Sequence, residues 1–181
     1  ALTGSAPTHV GGTAIQRLPG SNTLYTPTST GSLGVWSVDG AGAATAIAGS
    51  PFTVTPPAAG AIIDTPVFNG DGSRMYIAPD NSGFIMGFSL DAIGAPTLLT
   101  SSPWNFTPSL TDISCSAVSG DGAYFIAVGE AQPKIGVFAL ASDGPPPPVT
   151  NRPFTFLPPT ASPGAPATPS SPAHPQHDRR W

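Results

Sequence analysis

Charged side chains are scarce in this sequence. They make up 9% of the 181 residues, against about 25% in an average soluble domain. Glu130 is the single glutamate and Lys134 the single lysine. The formal net charge of −4 forms no block and there is no basic stripe, so nucleic-acid binding is not expected. The hydrophobic share of 39% still predicts a folded body, with a surface of Ser, Thr, Asn and Gly rather than ion pairs.

Cysteine and long apolar runs are also rare. Cys115 is the one cysteine, so no intrachain disulfide forms, and its apolar-leaning surroundings predict a buried side chain rather than a reactive nucleophile. Gly, Ser or Pro interrupts every apolar run before the roughly 20 residues that span a bilayer, so no membrane span is expected. The start at Ala1 instead of Met indicates a processed form or a piece of a larger product. The rarity of Lys and Glu favours a secreted or periplasmic parent, with a cytoplasmic one as the alternative.

Helix-compatible stretches are missing as well. The chain has 21 Gly and 24 Pro, and no window of a dozen residues keeps a helical period without one of them. Short runs of branched and aromatic residues lie between tight Gly-containing turns, which is typical of antiparallel strands. The fold class is therefore predicted to be all-β.

What the sequence does contain is one phrase in three copies. Its landmarks Trp36, Phe88 and Phe138 are separated by 52 and 50 residues, and Pro51, Pro103 and Pro153 repeat the same two steps. The copies are Leu33 to Asp39 with Ser50-Pro51-Phe52, Ile85 to Asp91 with Ser102-Pro103-Trp104, and Ile135 to Ala141 with Arg152-Pro153-Phe154. A fixed period of about 20 to 50 residues indicates a repeat architecture.

Each period is predicted to be a four-stranded antiparallel meander. In the second period, turns are expected at 69–72 and 81–83 and strands at 61–68 (interrupted by Pro66), 74–78, 84–90 and 96–100. The units are placed at about 10–54, 55–106 and 107–156, within a segment 1–156, and a Pro-rich disordered tail at 157–181. A meander must be covered on both faces, which a radial β-propeller achieves. Three blades are too few for a closed ring, because known propellers have about 4 to 8.

The repeated strands carry a family resemblance. The Asp-Gly turn, the strand Met75-Tyr76-Ile77-Ala78, the strand Ile-x-x-Phe-Ser-Leu-Asp beginning at Ile85, and the closing Ser-Pro-Phe resemble the repeats of the lactonase-type propeller family. That family includes bacterial 6-phosphogluconolactonase and the YVTN-type surface proteins, and the resemblance covers roughly residues 10 to 156. It implies a ring of about seven blades and hydrolysis of a sugar lactone by complete members. No catalytic residue transfers onto these positions.

Four residues are candidates for a site. Asp64 and Asp112 lie near or in predicted first strands, which line the channel of a propeller, where a carboxylate binds a sugar hydroxyl or acts as a base; a solvated strand-end Asp is the alternative. Glu130 and Lys134 flank a loop of the third unit and either pair across it, with a contribution of about 0 to 1 kcal/mol, or grip a ligand. No cofactor is expected.

Other polar and aromatic residues are interpreted structurally. Asp71 and Asp121 precede Gly in tight turns, and Asp39 and Asp91 end equivalent strands. His9 lies near the start and His174 and His177 in the tail, so neither a positioned base nor a metal site is expected. The repeated aromatic residues are predicted to be core residues: Trp36, Phe88, Phe138 and Trp104.

Two functions from different classes remain open. The first is a partial lactonase-like propeller, a hydrolase in its complete form, whose 181-residue piece lacks a complete site. The alternative is a non-catalytic extracellular or cell-surface propeller that binds a sugar or another small molecule. Either way the open array needs partners, namely missing blades or a second copy that completes a six-bladed ring. The tail is explained either by a truncated or frame-altered product or by a linker.

Overall fold

The computed structural model describes residues 14–28, 31–106, 110–129 and 134–140, and the backbone of 154–155. Strands and turns account for the regular structure of these residues. The strands are β1 Gln16–Arg17, β2 Thr23–Pro27, β3 Ser32–Val38, β4 Ala44–Ala46, β5 Phe52–Thr53, β6 Val67–Phe68, β7 Arg74–Ile77, β8 Phe84–Leu90, β9 Pro96–Leu98, β10 Trp104–Asn105, β11 Ile113–Val118, β12 Tyr124–Gly129, β13 Lys134–Ala139 and β14 Phe154–Thr155.

The strands form three antiparallel sheets, one per sequence period. Sheet one contains β1 to β5, sheet two β6 to β10, and sheet three β11 to β14. Within each sheet the first three strands are neighbours in chain order, as a meander requires. The predicted all-β class and the meander order are confirmed, and β8 has the predicted bounds 84–90.

The outer strand of a sheet is split into two short pieces, which the sequence interpretation did not foresee. In sheet one, β4 pairs with the second half of β3 and β5 with its first half; β9 and β10 pair with β8 in the same way. The Ser-Pro-aromatic phrase therefore belongs to the sheet edge and does not merely follow it. Residues 157–181 and the predicted outer strand of the third unit at 148–150 lie outside the described residues.

The serine of the phrase completes the hydrogen bonding where the outer strand is interrupted. The Val35 N–H donates to Ser50 Oγ at 2.9 Å, and the Gly87 N–H donates to Ser102 Oγ at 2.9 Å. The carbonyls of Val35 and Gly87 accept from the backbone N–H groups of Ile47 and Leu99. A side-chain oxygen thus satisfies a backbone donor that has lost its ladder partner.

Sheet two is buried on both faces by its neighbours. Side chains alternate along its strands: Met75 and Ile77 belong to the core with sheet one, whereas Tyr76 and Ala78 belong to the core with sheet three. This is the period of two that a strand imposes. The first core also holds Tyr25, Leu33, Val35, Met86 and Phe88, and the second Ile85, Trp104, Phe125, Ala127 and Phe138.

The predicted core aromatics divide by sheet. Phe88, Phe138 and Trp104 are buried as predicted, each 5% exposed or less. Trp36, at the same repeat position as Phe88 and Phe138, is only half-buried because it faces away from sheet two. The large Trp104 ring is accommodated by Gly87, where an added Cβ would lie 2.5 Å from the ring.

Tyr25 connects the first two sheets. Its side chain is fully buried, its ring lies 4.9 Å from that of Phe68, and its hydroxyl donates to the Gly94 carbonyl at 2.6 Å. Burial, with a smaller contribution from the charge of Asp91, raises the pKa of the Tyr25 hydroxyl far above its ordinary value. The hydroxyl is therefore a permanent hydrogen-bond donor between sheets one and two.

The prediction that Cys115 is buried is wrong, and a β-bulge explains why. Cys115 is exposed, although Ile113, two residues earlier, is fully buried. The pairing of β11 with β12 shifts between these two residues, leaving Ser114 as the extra residue. Such a bulge turns the following side chains to the opposite face, so Cys115 faces away from sheet two.

A similar irregularity in sheet two shortens the predicted strand 61–68. From the Ile62–Asp80 bridge to the Val67–Tyr76 pair, the chain advances five residues on one side and four on the other. Only Val67–Phe68 remains as a regular strand. Asp64, which lies 50 residues before Ser114, is in this irregular stretch.

We expect Ser102→Ala to lower the free energy of unfolding by about 1 to 3 kcal/mol, because the Gly87 N–H loses its acceptor. Ser50→Ala tests the same bond to Val35 in sheet one. Thr100→Ala is the matched control, since Thr100 is an exposed turn residue. Urea unfolding measures all three variants, and equal stabilities of Ser102→Ala and Thr100→Ala would contradict this role of the serine.

We expect Tyr25→Phe to destabilise the protein by about 1 to 3 kcal/mol, because the ring packing is kept while the Gly94 carbonyl loses its buried donor. Tyr124→Phe is the control, as Tyr124 is 39% exposed and its hydroxyl is accessible to water. Thermal and urea unfolding of both variants provide the measurement. A Tyr25→Phe protein as stable as the control would show that the inter-sheet bond contributes nothing.

Candidate functional site

The sheets converge at their first strands. β6 and β11, the first strands of sheets two and three, lie against each other. In a meander, the loop from the second to the third strand and the loop that enters the first strand of the next sheet lie at the same end. For sheets two and three these loops are 78–83 and 110–112, and they meet between the two sheets.

Backbone hydrogen bonds fix these loops to each other. The Ile113 N–H donates to the Ser82 carbonyl at 3.0 Å, and the Phe106 N–H donates to the Gly83 carbonyl at 2.8 Å. Ser82 is itself held in place, since its hydroxyl donates to the Pro79 carbonyl at 2.6 Å and accepts from the Phe84 N–H at 3.3 Å. The entry to sheet three is therefore positioned by the loop of sheet two.

A cleft of about 460 Å³ opens at this junction. Its volume lies within the roughly 300 to 1,000 Å³ of small-molecule sites. The lining combines apolar surface with a few polar groups: Ala58, Asn81, Ser82, Gly83, Phe84, Thr111 and Asp112. Thr111 and Asp112 belong to the entry to sheet three, and most of the remainder to the loop of sheet two.

Asn81 and Asp112 have unusual backbone conformations. Their φ angles are 57° and 53°, and they are the non-glycine residues with positive φ in the described part of the chain. Side chains other than Asn and Asp rarely adopt this left-handed region. Residues held in such conformations concentrate at functional sites, and here both line one cleft.

Asp112 is the acidic group of the cleft. It is half-buried, and among the described residues its carboxylate accepts no hydrogen bond. Asp80, by contrast, uses its carboxylate to accept from the Asn81 N–H at 2.9 Å. The carboxylate oxygens of Asp112 therefore have acceptor capacity that no described group uses.

The structure brings Lys134 to the same end of sheet three as Asp112. Lys134 is paired with Gly129, and Gly129 with Ile113, the residue after Asp112. Because these residues lie on three adjacent strands about 4.8 Å apart, Lys134 is about 10 Å from Ile113 measured across the strands. Glu130 lies outside the described residues.

Asp64 is not in the cleft lining. It is half-buried at the irregular entry to sheet two, where its carboxylate accepts from the Thr65 hydroxyl at 3.1 Å. Of the three candidates that the structure describes, Asp112 is therefore the one in the cleft lining. Asp64 occupies the comparable end of the neighbouring sheet.

The four aspartates interpreted structurally from the sequence lie in turns or at strand ends, as predicted. Asp39 Oδ1 accepts from the Ala41 and Ala43 N–H groups, and Asp91 Oδ1 from the equivalent N–H groups two and four residues later. Asp71 and Asp121 likewise accept from backbone N–H groups two residues on. Hydrogen bonds from Ser73 and Ser119, respectively, hold the pKa of these last two carboxyl groups below the ordinary value.

A smaller cleft of about 260 Å³ lies at the opposite end of sheets two and three. Its polar lining belongs mainly to the turn that includes Asn69, Asp71 and Ser73. These side chains already hydrogen-bond within that turn, so the turn itself accounts for its polarity.

No group of three or more His, Cys, Asp or Glu suitable for a metal ion occurs in the part of the chain that the structure describes. The same residues include no helix with the length and apolar character needed to cross a membrane. His9, His174 and His177 lie outside the described ranges.

Sequence reasoning missed Asn81, Ser82 and Thr111. The 81–83 turn was predicted correctly, but it lines a cleft only because the entry to the next sheet packs beside it. The one local signal was an Asn directly before Ser-Gly, where positive φ is common for Asn. The spacing of the sequence repeats does not predict this contact between two sheets.

No family model matches the chain, and no curated protein matches it in sequence. Solved structures do match. The periplasmic gluconolactonase of Pseudomonas aeruginosa superposes with a TM-score of 0.65 at 20% identity, over 83% of this chain and 43% of that chain. A protein from Lactobacillus plantarum gives a TM-score of 0.61 at 20% identity, over 80% of this chain and 41% of that chain.

The likeness extends to propellers of other kinds. The WD40 repeats of RRP9 match with a TM-score of 0.59 at 12% identity, over 83% of this chain and 40% of that chain. The β-propeller fold and the resemblance to lactonase-type propellers are thus confirmed at the level of the fold. The chain spans less than half the length of these structures.

We expect Asp112→Gly to leave the free energy of unfolding nearly unchanged and Asp112→Ala to lower it by about 1 to 2 kcal/mol, because only glycine adopts positive φ without strain. Thr111→Ala, one residue earlier in the same loop, is the control and should have little effect. Chemical unfolding of the three variants decides between them. Equal stability of the Gly and Ala variants would contradict the left-handed conformation of Asp112.

Proposed function

We propose that this chain is part of a lactonase-like propeller and that its cleft between sheets two and three binds a polar small molecule of the sugar or sugar-lactone class. The observation that carries the proposal is the half-buried carboxylate of Asp112, whose acceptor capacity no described group uses, in a cleft of about 460 Å³. The likeness in fold to a periplasmic gluconolactonase supports the choice of ligand class.

The chemistry of the lining fits a polyhydroxylated ligand. A carboxylate accepts hydrogen bonds from sugar hydroxyl groups, and the Asn81 amide and the Thr111 hydroxyl both donate and accept. The Phe84 side chain and Ala58 add apolar surface at the same cleft. A few polar groups on a mostly apolar lining are typical of small-molecule sites.

Hydrolysis of a lactone makes further demands. A base must take a proton from the attacking water, donors must stabilise the negative charge that develops on the carbonyl oxygen, and an acid must protonate the ring oxygen when its bond to the carbonyl carbon breaks. Asp112 suits the first role. We therefore propose that the isolated chain binds its ligand without turning it over, and that a complete parent supplies the remaining groups.

The alternative is a propeller that binds a sugar without catalysis in any form. The same cleft serves that function, because one fold can host many unrelated functions and does not by itself determine chemistry. A parent protein that binds sugars or their lactones but never hydrolyses the lactone would favour this alternative over the first proposal.

Binding and turnover are tested separately on the 181-residue chain. We expect titration with glucono-δ-lactone and with gluconate to give saturable binding in calorimetry, and we expect no lactone hydrolysis above the spontaneous rate. Asp112→Asn should weaken binding about tenfold or more, as for loss of a charge-assisted hydrogen bond. Asp121→Asn, a turn aspartate at the other end of the sheet, should bind like the unmodified chain.

Two results would overturn parts of this proposal. Binding that is equally strong in Asp112→Asn would place the ligand outside the cleft. Hydrolysis by the unmodified chain that disappears in Asp112→Asn would show that the described part of the molecule already holds a complete site.

A further inference from the structure

Contacts between the sheets are of one type. We call the face of a sheet that points toward the next sheet its forward face, and the opposite face its backward face. The forward face of sheet one, with Tyr25, Leu33 and Val35, packs on the backward face of sheet two, and the forward face of sheet two packs on the backward face of sheet three. Each core is therefore a head-to-tail contact.

The forward face of sheet three has the same pattern but no described neighbour. Ile126, Ile135 and Val137 occupy the repeat positions of Tyr25, Leu33 and Val35. They are half-buried and belong to neither core cluster, whereas their counterparts in sheet one are fully buried. Register pairs place Cys115, Ala117 and Val128 on the same face. No charged residue is among these six.

The backward face of sheet one is the complementary surface, on which no other sheet of the described residues packs. Trp36 stands at the repeat position of Phe88 and Phe138, which are each 4% exposed inside a core, yet Trp36 is half-buried. Leu24, also half-buried, pairs with Trp36 across β2 and β3. Both faces are thus the two halves of a contact that the chain already makes twice.

The polar groups beside Trp36 on this backward face are already paired. Arg17, charged and exposed, pairs with Leu24 and lies on the same face at the innermost strand, where its Nε–H donates to the Ser21 carbonyl at 2.6 Å. The Trp36 indole N–H donates to Thr26 Oγ1 at 2.9 Å, and the Thr26 hydroxyl donates to the Gly34 carbonyl at 3.3 Å. Thr26 is only 9% exposed. Because a polar group that has its hydrogen bonds can be buried at little further expense, the part of this face around Trp36 is suited to docking on an apolar sheet.

We propose that two copies of the 181-residue chain associate head to tail, the forward face of sheet three of one copy docking on the backward face of sheet one of the other. The two contacts of a dimer are then equivalent and close a ring of six sheets, within the range of about 4 to 8 known for propellers. A head-to-tail contact that fails to close would instead give open chains.

Mass measurements on variants of each face test the proposal. Sedimentation of the unmodified chain should give twice the monomer mass of 18.2 kDa. Val137→Asp blocks the forward face and Trp36→Glu the backward face, and each variant alone should lose the dimer. A mixture should regain a one-to-one complex, because one forward face and one backward face stay intact. Ile93→Asp is the control, since Ile93 is 52% exposed in a turn.

The single cysteine provides a test without substitutions in either face. Cys115 lies on the proposed forward interface, so its reaction with a maleimide should slow as protein concentration rises through the dimerisation range. This readout remains decisive if a variant fails to fold, which circular dichroism would show.

Several outcomes would overturn the proposal. The first is a monomer at every concentration. The second is a dimer that persists in the Trp36→Glu variant alone, which would indicate that two forward faces pair. The third is a mass that continues to grow with concentration, which would indicate open chains. Because none of these measurements uses the sugar ligand, their result is independent of the proposed binding function.

Discussion

Coverage of both faces of each sheet is the constraint on which the rest of this structure depends. A twisted four-stranded sheet with apolar residues on both faces is unstable alone, since each side chain buried in water-free packing contributes about 1.5 to 3 kcal/mol that an isolated sheet forgoes. Among the described residues only sheet two is covered on both sides. Every residue of its segments 75–78 and 85–88 is accordingly buried, whereas buried and half-buried residues alternate along 125–129 in sheet three.

The same constraint places function at the ends of the sheets. Faces are used for packing and outer edges for hydrogen bonding, so the groups left for a ligand are those on the loops where neighbouring sheets meet. The cleft beside Asn81 and Asp112 is such a place. Backbone hydrogen bonds from the N–H groups of Ile113 and Phe106 hold its loops in place. The polar side chains of the cleft therefore extend from a backbone with a defined position.

Much of the fold was predictable from the sequence, because the repeat indicates which segments form strands and which form turns. The bounds of β8 were correct, since Phe84 to Leu90 combine branched and aromatic residues between two turns. Cys115 and the strand 61–68 were predicted wrongly, because a single extra residue reverses the alternation and leaves no mark in composition. At the site, Asp112 was identified from its place before a first strand, but Asn81 and Thr111 required the packing of two sheets.

Differences between the repeats show how the residues at the outer edge of each sheet depend on one another. Sheet two has Gly87 and Trp104 at the repeat positions of Val35 and Phe52 in sheet one. The larger Trp104 ring is thus accompanied by a smaller residue, since an added Cβ at Gly87 would lie 2.5 Å from it. The third unit departs further: Arg152 stands where Ser50 and Ser102 accept a backbone N–H. A guanidinium group only donates hydrogen bonds, so the equivalent N–H of Val137 must be satisfied in another way. The repeat thus weakens at sheet three, whose forward face has no neighbour among the residues that the structure describes.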